Sequence, residues 1–444
     1  MVKEVDDVLK VGKELADYII NLNYEDLTPD ITHQVKRVIL DSLGTMYMGT
    51  RKEESAGIIP FLKEINANNE CTIIGSDYKT SCSWAAWANA CYAQVHDCND
   101  GHRKGAAYGG SPHPGRVAVP TSLAMAEMLH LSGKDVITAI VVGYDVAAKL
   151  MGMKDSPPTS AYCSAAIASR MLGLSTEQTI FALGIAGFHS PKNVPKTMGL
   201  DTNFLSNGYQ AKVGIEAALL ARQGFNGPKL SDDNRLSTRF KSRGLGVKFE
   251  VMDVYIKPWP TCRMTHGAIE ALLNLKKEYG FNSVDVEEVE VSQLTYGMYI
   301  ADEKVGPDSY YKNCQFNLPY IAACAITDGM VTETQFTKER ISDKSLHDLA
   351  AKVRVTSDEE LDSIYPEDCR PTKVQVKLKN GKSYTKRIDR PWGEPGNPIS
   401  DEDLFTKFSK WSSPTVSHEK SIEVWTEIKK IEQFNDVSKF ISRL

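Results

Sequence analysis

Over the first 250 positions, apolar residues recur at the three- and four-residue spacing of helices that bury one face. In LTPDITHQVKRVILDSLGTMYMGT, Ile31, Val35, Val38, Ile39 and Leu43 share a helical face. Thr28 stands where an N-cap belongs, and Pro29 takes the first helical position. LSTEQTIFALGIAG opens with Ser175 and, three residues on, Gln178, the two halves of a capping box. VPTSLAMAEMLHLSG and KDVITAIVVGYDVAAKLMG are divided at Ser132-Gly133, which reads as a stop. The second stretch is apolar around most of its circumference, so it predicts a helix through the interior of a bundle. Small-residue runs (AAWANA, YCSAAIASRMLG, GIEAALLARQG) let such helices approach closely.

Near residue 250 the pattern changes. VKFEVMDVYIKPWP predicts a short extended run ending in two prolines, and TCRMTHGAIEALLNLKKEYG returns to helix. VDVEEVEVSQL and AKVRVT alternate with period two. TKVQVKLKNGKSYTKRI predicts a hairpin turning through Asn380-Gly381 in a type I′ turn. RPWGEPGNPIS is a linker, after which DEDLFTKFSKWSS is helical again. The expected architecture is mainly α: a large helical domain over 1–254, a smaller α+β domain over 255–395, and C-terminal helices over 396–444 that return to the first.

Composition narrows the function classes. A chain of 444 residues suits two domains, and 42% hydrophobic with 25% charged residues is ordinary for a globular protein. A net charge of −5 without a basic stripe gives no footprint for nucleic acid. No window approaches the roughly 18–20 apolar residues of a membrane span, and the acids in MVKEVDDVLKVGKELADYII do not suit a signal peptide. Nine cysteines without a CxxC spacing suggest neither a disulfide framework nor a structural zinc site. They are expected to be reduced thiols of a cytoplasmic protein.

Candidate chemistry concentrates in HDCNDGHRKGAAYGGSPHP, residues 96–114, which holds three of the nine histidines. His96, Asp100 and His102 could ligate a metal, but their spacing puts them on no common helix face. Gly109-Gly110 runs into Ser-Pro-His-Pro, which does not open a phosphate-binding helix. An acid/base centre fits better: imidazole takes and returns protons near neutrality, and a carboxylate can orient it or oppose it. A second constellation, YIKPWPTCRMTH, sets Lys257 and Arg263 around a rigid Pro-Trp-Pro, with Cys262 and His266 alongside. A helix starting near Thr261 would carry Arg263 in its first turn, where guanidinium and helix terminus could bind a carboxylate or phosphate. NCQFNLPYIAACAITDG reads as one helix, in which Tyr320 suits a core position.

The chain resembles the MmgE/PrpD family, which includes 2-methylcitrate dehydratase, cis-aconitate decarboxylase and iminodisuccinate epimerase. The likeness runs through LDSLGTMYMGT, HDCND…HPGRVAVPTSLAMAE, GYDVAAKL, SAAIASRMLGLSTEQTIFALGIAG and NGYQAKVGIEAALLARQGFNGP. It is strongest at IKPWPTCRMTHGAIEA. It implies a helical domain with an α+β lid, a homodimer, and cofactor-free, metal-free proton abstraction next to a carboxylate. It places Asp97, His113, Lys257, His266 and Tyr320 in catalytic positions, and makes Arg263, Asp100, His102, Asp155 and Asn203 candidate contacts to a small carboxylate substrate. This chain departs from the family pattern in carrying Gly101 for a threonine, Asp155 for a histidine, Asn203 for a lysine, and a longer loop before His113. Those exchanges argue against an unchanged tricarboxylate substrate. The expected activity is therefore a lyase, a dehydratase first. An epimerase using Asp155 as an added carboxylate comes second, and a non-catalytic ligand-binding protein third.

Overall fold

The computed structural model describes residues 2–103, 113–150, 159–190, 199–228, 244–302, 304–364 and 369–444, with side chains from Gly12 onward. Among the described residues, nine helices build the first domain: α1 (Val2–Asn21), α2 (Pro29–Gly49), α3 (Ile58–Ile65), α4 (Cys82–Val95), α5 (Gly115–Leu129), α6 (Gly133–Lys149), α7 (Thr159–Met171), α8 (Thr176–Phe188) and α9 (Thr202–Arg222). Their ends follow local chemistry. The Thr28 side chain accepts the Ile31 N–H at the start of α2, and Ser175 and Gln178 close the capping box of α8. In α6 every residue from Val136 to Lys149 is buried, as its all-round apolar pattern requires. Each fully buried Val or Ile there contributes about 1.5–3 kcal/mol relative to exposure. Ser132, expected at a stop, instead starts α6: it forms a capping box with Asp135, while α5 ends earlier at the left-handed His130. The Ser-x-x-Asp spacing outweighs the glycine.

The second domain carries a four-stranded sheet formed by β5 (Val286–Gln293), β6 (Val353–Ser357), β7 (Thr372–Leu378) and β8 (Ser383–Ile388). Before them come the two-stranded pairs β1 (Cys71–Thr72) with β2 (Lys79–Thr80), and β3 (Gly101–His102) with β4 (Val254–Tyr255). The sheet order is β6-β5-β7-β8, with β5 and β6 parallel and the other neighbours antiparallel. Val374, Val376 and Leu378 are buried in strict alternation with exposed residues, and α10 (His266–Tyr279) packs on β7 and β8. The hairpin turns differently from the expectation. Asn380 is not left-handed; Gly381 is (φ 85°), with its N–H on Leu378 O and Leu378 N–H on Lys382 O. This is a longer loop with glycine in the left-handed position, not a two-residue type I′ turn. The stretch expected as one helix breaks at Phe316–Asn317: a short helix, Tyr311–Gln315, is followed by α11 (Leu318–Asp328), capped by Asn317. α12 (Lys344–Ala350) packs beneath α11.

After the lid the chain returns. α13 (Asp401–Ser412) and α14 (His418–Lys429) both pack on α2. Ile256 N–H donates to Gly393 O at 3.0 Å, tying the point where the chain goes into the lid to the point where it leaves. The site lies at this junction, below β3 and β4.

Candidate active site

The site begins at an unfinished helix end. α4 stops at Val95, and the last carbonyls of a helix have no partner within it. Here the lid supplies them: Lys312 Nζ donates to Gln94 O (3.1 Å), Tyr311 Oη to Val95 O (2.9 Å) and Gln315 Nε2 to His96 O (2.8 Å). A cation at that terminus also meets the negative end of the helix dipole. The next residue, Asp97, is left-handed (φ 54°), which swings its carboxylate towards the lid.

Lys257 meets it there. Its buried Nζ donates to both Asp97 Oδ2 and Asp97 O, each at 2.7 Å. Burial pushes the Asp97 carboxyl up, but the charges of Lys257, Lys312 and His113 outweigh that and hold it at about 2. The backbone around the pair is pinned from the first domain. Lys407, on α13, donates to Lys257 O and Asp41 Oδ1 at 2.5 Å each and reaches Cys98 O at 3.4 Å. Lys312, almost fully buried, is lowered by burial to about 7.

His113 precedes α5. Its Nδ1 lies 2.6 Å from Asp100 O, a carbonyl that can only accept, so the proton of the neutral ring sits on Nδ1 and the basic nitrogen is Nε2. Burial, with the nearby charges of Arg116 and Lys257, lowers the ring well below its ordinary value, so it is neutral at pH 7. Its edge meets the Tyr255 ring, 6.2 Å between centroids.

These groups line a cavity of about 340 Å³ shared by both domains. Among the described residues the wall carries Arg116, Lys257, Arg263 and Arg370 against one acid, Asp97, and His102, Asn203, Cys262 and the tyrosines 255, 296 and 299 also line it. Arg263 is committed elsewhere than to a ligand: Nε and Nη2 grip the two oxygens of Glu394, and Nη1 donates to Arg103 O at 2.9 Å. The α-helix starts at His266, after a short turn at Arg263–Thr265, so Arg263 does not sit in the first turn of α10 as expected.

The remaining anticipated residues divide. His102 and Asn203 reach the cavity; His102 Nε2 is 2.9 Å from Glu250 Oε2, and Asn203 Oδ1 accepts from Gln94 Nε2 at 3.2 Å. Asp100 lies beneath the wall, not on it: its Oδ2 accepts from Tyr144 Oη at 2.8 Å, and burial with the neighbouring Asp41 charge raises it to about 7. His266 folds edge-on against Trp259, 5.2 Å between centroids, and does not line the cavity. Tyr320 is core of the lid, fully buried, its hydroxyl donating to Gln335 O at 2.7 Å. Asp155 lies outside the described residues. His96, Asp100 and His102 face three different surroundings. Among the described residues the group that does converge is His102, Glu250 and Asp253, and Lys149, Arg103 and Lys248 already pair with its carboxylates. Gly101 is forced by packing, since an added Cβ would lie 2.2 Å from the Tyr255 hydroxyl. Sequence reasoning missed Arg116, Lys312, Gln315 and Lys407. Only Arg116, beside the quoted histidine, carried a positional hint.

Fold and cavity define a class: a helical bundle and an α+β lid that share a predominantly basic cleft at their junction. The chain belongs to the MmgE/PrpD family, matching its N-terminal domain over residues 13–235 and its C-terminal domain over 259–431. It is 27% identical to the cis-aconitate decarboxylase of Mus musculus over 96% of this chain and 92% of that protein. It is also 27% identical to the human cis-aconitate decarboxylase over 96% and 93%. To the mitochondrial 2-methylcitrate dehydratase of Yarrowia lipolytica it is 23% identical, over 90% and 83%.

Proposed function

We propose that the protein is a cofactor-independent lyase, a dehydratase of a small polycarboxylate or hydroxy acid, that removes a proton α to a carboxylate. The observation that carries this reading is His113, a neutral imidazole locked with its proton on Nδ1, in a wall where basic groups outnumber acids. Its Nε2 takes the α-proton; Lys257 stabilises the negative charge that develops on the substrate carboxylate as the enediolate forms. The hydroxyl on the neighbouring carbon then leaves as water, and the imidazolium returns the proton to it, which closes the proton balance. The names of the relatives, decarboxylases and a dehydratase of carboxylic acids, support the same substrate class.

Epimerisation needs a second base on the opposite face. Asp97, held at about 2, is a weak one, which favours elimination over epimerisation. Gly101 supplies no hydroxyl where the family's decarboxylase has a threonine, and an added Cβ there would lie 2.2 Å from the Tyr255 hydroxyl, which argues against decarboxylation of cis-aconitate. The active unit is read as a homodimer, which would sediment at twice the chain mass.

Proton NMR in D₂O, with the protein incubated with citrate, methylcitrate, aconitate, malate and iminodisuccinate, tests the proposal. Deuterium entering an α-position together with olefinic signals is the expected result, lost in His113→Ala at least about a hundredfold. Exchange without olefin would mean epimerisation. No exchange with any acid by folded protein would leave a ligand-binding protein.

A further inference from the structure

The cations of the cavity wall differ in what neutralises them. Lys257 has Asp97 and Arg263 has Glu394. Arg116 has only an amide: Nη1 donates to Gln94 Oε1 at 2.7 Å, and its buried Nε has no hydrogen-bond partner among the described residues. Gln94 is itself oriented by donating to Asn203 Oδ1 at 3.2 Å. Among the described residues Arg116 is thus steered by neutral groups and bonded to no carboxylate, although a guanidinium withdrawn from water is stable only when paired. Its planar donor fork matches a carboxylate.

Position adds a second argument. Arg116 lies in the first turn of α5, three residues beyond His113, so one rigid helix start sets the separation between base and cation. The chain Asn203–Gln94–Arg116 also runs from a position where the family resemblance expects a lysine to one where this chain supplies an arginine.

We propose that Arg116 is the specificity-determining residue of the cavity, binding the substrate carboxylate that is not adjacent to the abstracted proton, so that the substrate is a di- or tricarboxylate and not a monoacid. The proposal rests on the reading of this cavity as a carboxylic-acid site. Lys257 serves the reacting end and Arg116 the distal end.

Calorimetry with malate, citrate and lactate separates the two claims, because lactate is malate with one carboxylate replaced by hydrogen. Wild-type protein is expected to bind malate or citrate more tightly than lactate. Arg116→Gln should weaken the polyacids about tenfold to hundredfold, the size of a hydrogen-bonded charge lost, and leave lactate within about threefold. Arg116→Lys, which keeps the charge but not the fork, should recover part of the loss and guards against a folding defect. In turnover assays with the best acid, removing the Arg116 charge should also raise the ionisation of His113, moving the acid limb of kcat/KM to higher pH. That shift reports the Arg116 charge beside His113, and the lost preference for polyacids reports its contact with the carboxylate. Arg116→Gln that keeps the wild-type preference for polyacids and the wild-type acid limb overturns the assignment while leaving the carboxylic-acid site intact. Wild-type protein that binds none of the three acids overturns both.

Discussion

Two buried ion pairs face the same cavity, and they are built to opposite ends. Arg263 uses Nε, Nη1 and Nη2, two on Glu394 and one on Arg103 O, and its guanidinium lies 4.0 Å above the centre of the Tyr255 ring. All three nitrogens of the planar fork are engaged, so the pair is a fixed strut between the residue-103 turn, the lid and its exit segment. Lys257 is a point charge on a flexible stem: two N–H groups hold Asp97, and the third has no partner among the described residues. It can turn to a substrate oxygen while remaining near Asp97. The same sign of charge on the same wall therefore serves rigidity in one pair and, in the proposed mechanism, chemistry in the other.

The largest effect should come from breaking the mobile pair. Lys257→Ala removes the charge proposed to face the developing enediolate, and kcat/KM is expected to fall about a hundredfold to a thousandfold. Asp97 is then buried without its partner, so stability should drop by about 3–5 kcal/mol in urea titration. A variant within threefold of wild-type kcat/KM would take Lys257 out of the reaction.

Breaking the strut should divide stability from rate. Glu394→Gln leaves Arg263 buried with half its grip neutral, and the urea midpoint should fall by an amount equivalent to about 3 kcal/mol. The rate per folded molecule should stay within about fivefold, because Glu394 is absent from the cavity wall. A collapse of kcat with an unchanged midpoint would reverse the comparison and give Arg263 the chemical role.

How much of this could be read in the sequence depends on whether the physics is local. The caps at Thr28 and Ser175 and the alternation of β7 are decided within a few residues, and they stand in the structure as written in the chain. His113, Asp97 and Lys257 were legible because they sit in dense polar motifs, and the cavity brings them together. For Tyr320 the residue pattern and the resemblance point different ways: the pattern suits a core position, the resemblance a catalytic one, and the structure buries it in the lid core. Its hydroxyl needed only a main-chain partner in the core, and Gln335 O supplies it. Lys312, Gln315 and Lys407 were illegible for a deeper reason. Each acts by hydrogen-bonding backbone carbonyls 150 or more residues away, and nothing in a sequence marks a carbonyl as unpartnered. The hinge of the site, where the lid finishes α4 and fixes Asp97, is written in the tertiary fold alone.

The smallest effect is also the most direct reading of the mobile pair's field. Asp97 titrates at about 2 in the folded protein against an ordinary 3.8, because the charges of Lys257, Lys312 and His113 overcome its burial. A depressed carboxyl stabilises the fold fully above its unfolded value and loses that contribution as pH falls through its folded value, so the window lies between roughly pH 4 and pH 2. The shift corresponds to about 2 kcal/mol. Urea midpoints of wild type and Asp97→Asn should therefore converge as pH falls through that window, relative to their separation at pH 6. Lys312→Met tests the lid's share. It removes one of the three lowering charges, so the Asp97 value should rise and the convergence begin at higher pH. Lys312 itself is lowered by burial to about 7 from an ordinary 10.5, so the unfolded chain takes up that proton first: stability is lost as pH falls from 10.5 to 7 and stays lost below. The same variant should for that reason gain stability at pH 6 relative to pH 9, after allowing for the lost bond to Gln94 O. If the convergence sets in at the same pH with and without Lys312, the lid cation acts on α4 as a cap and has no hold on the Asp97 charge.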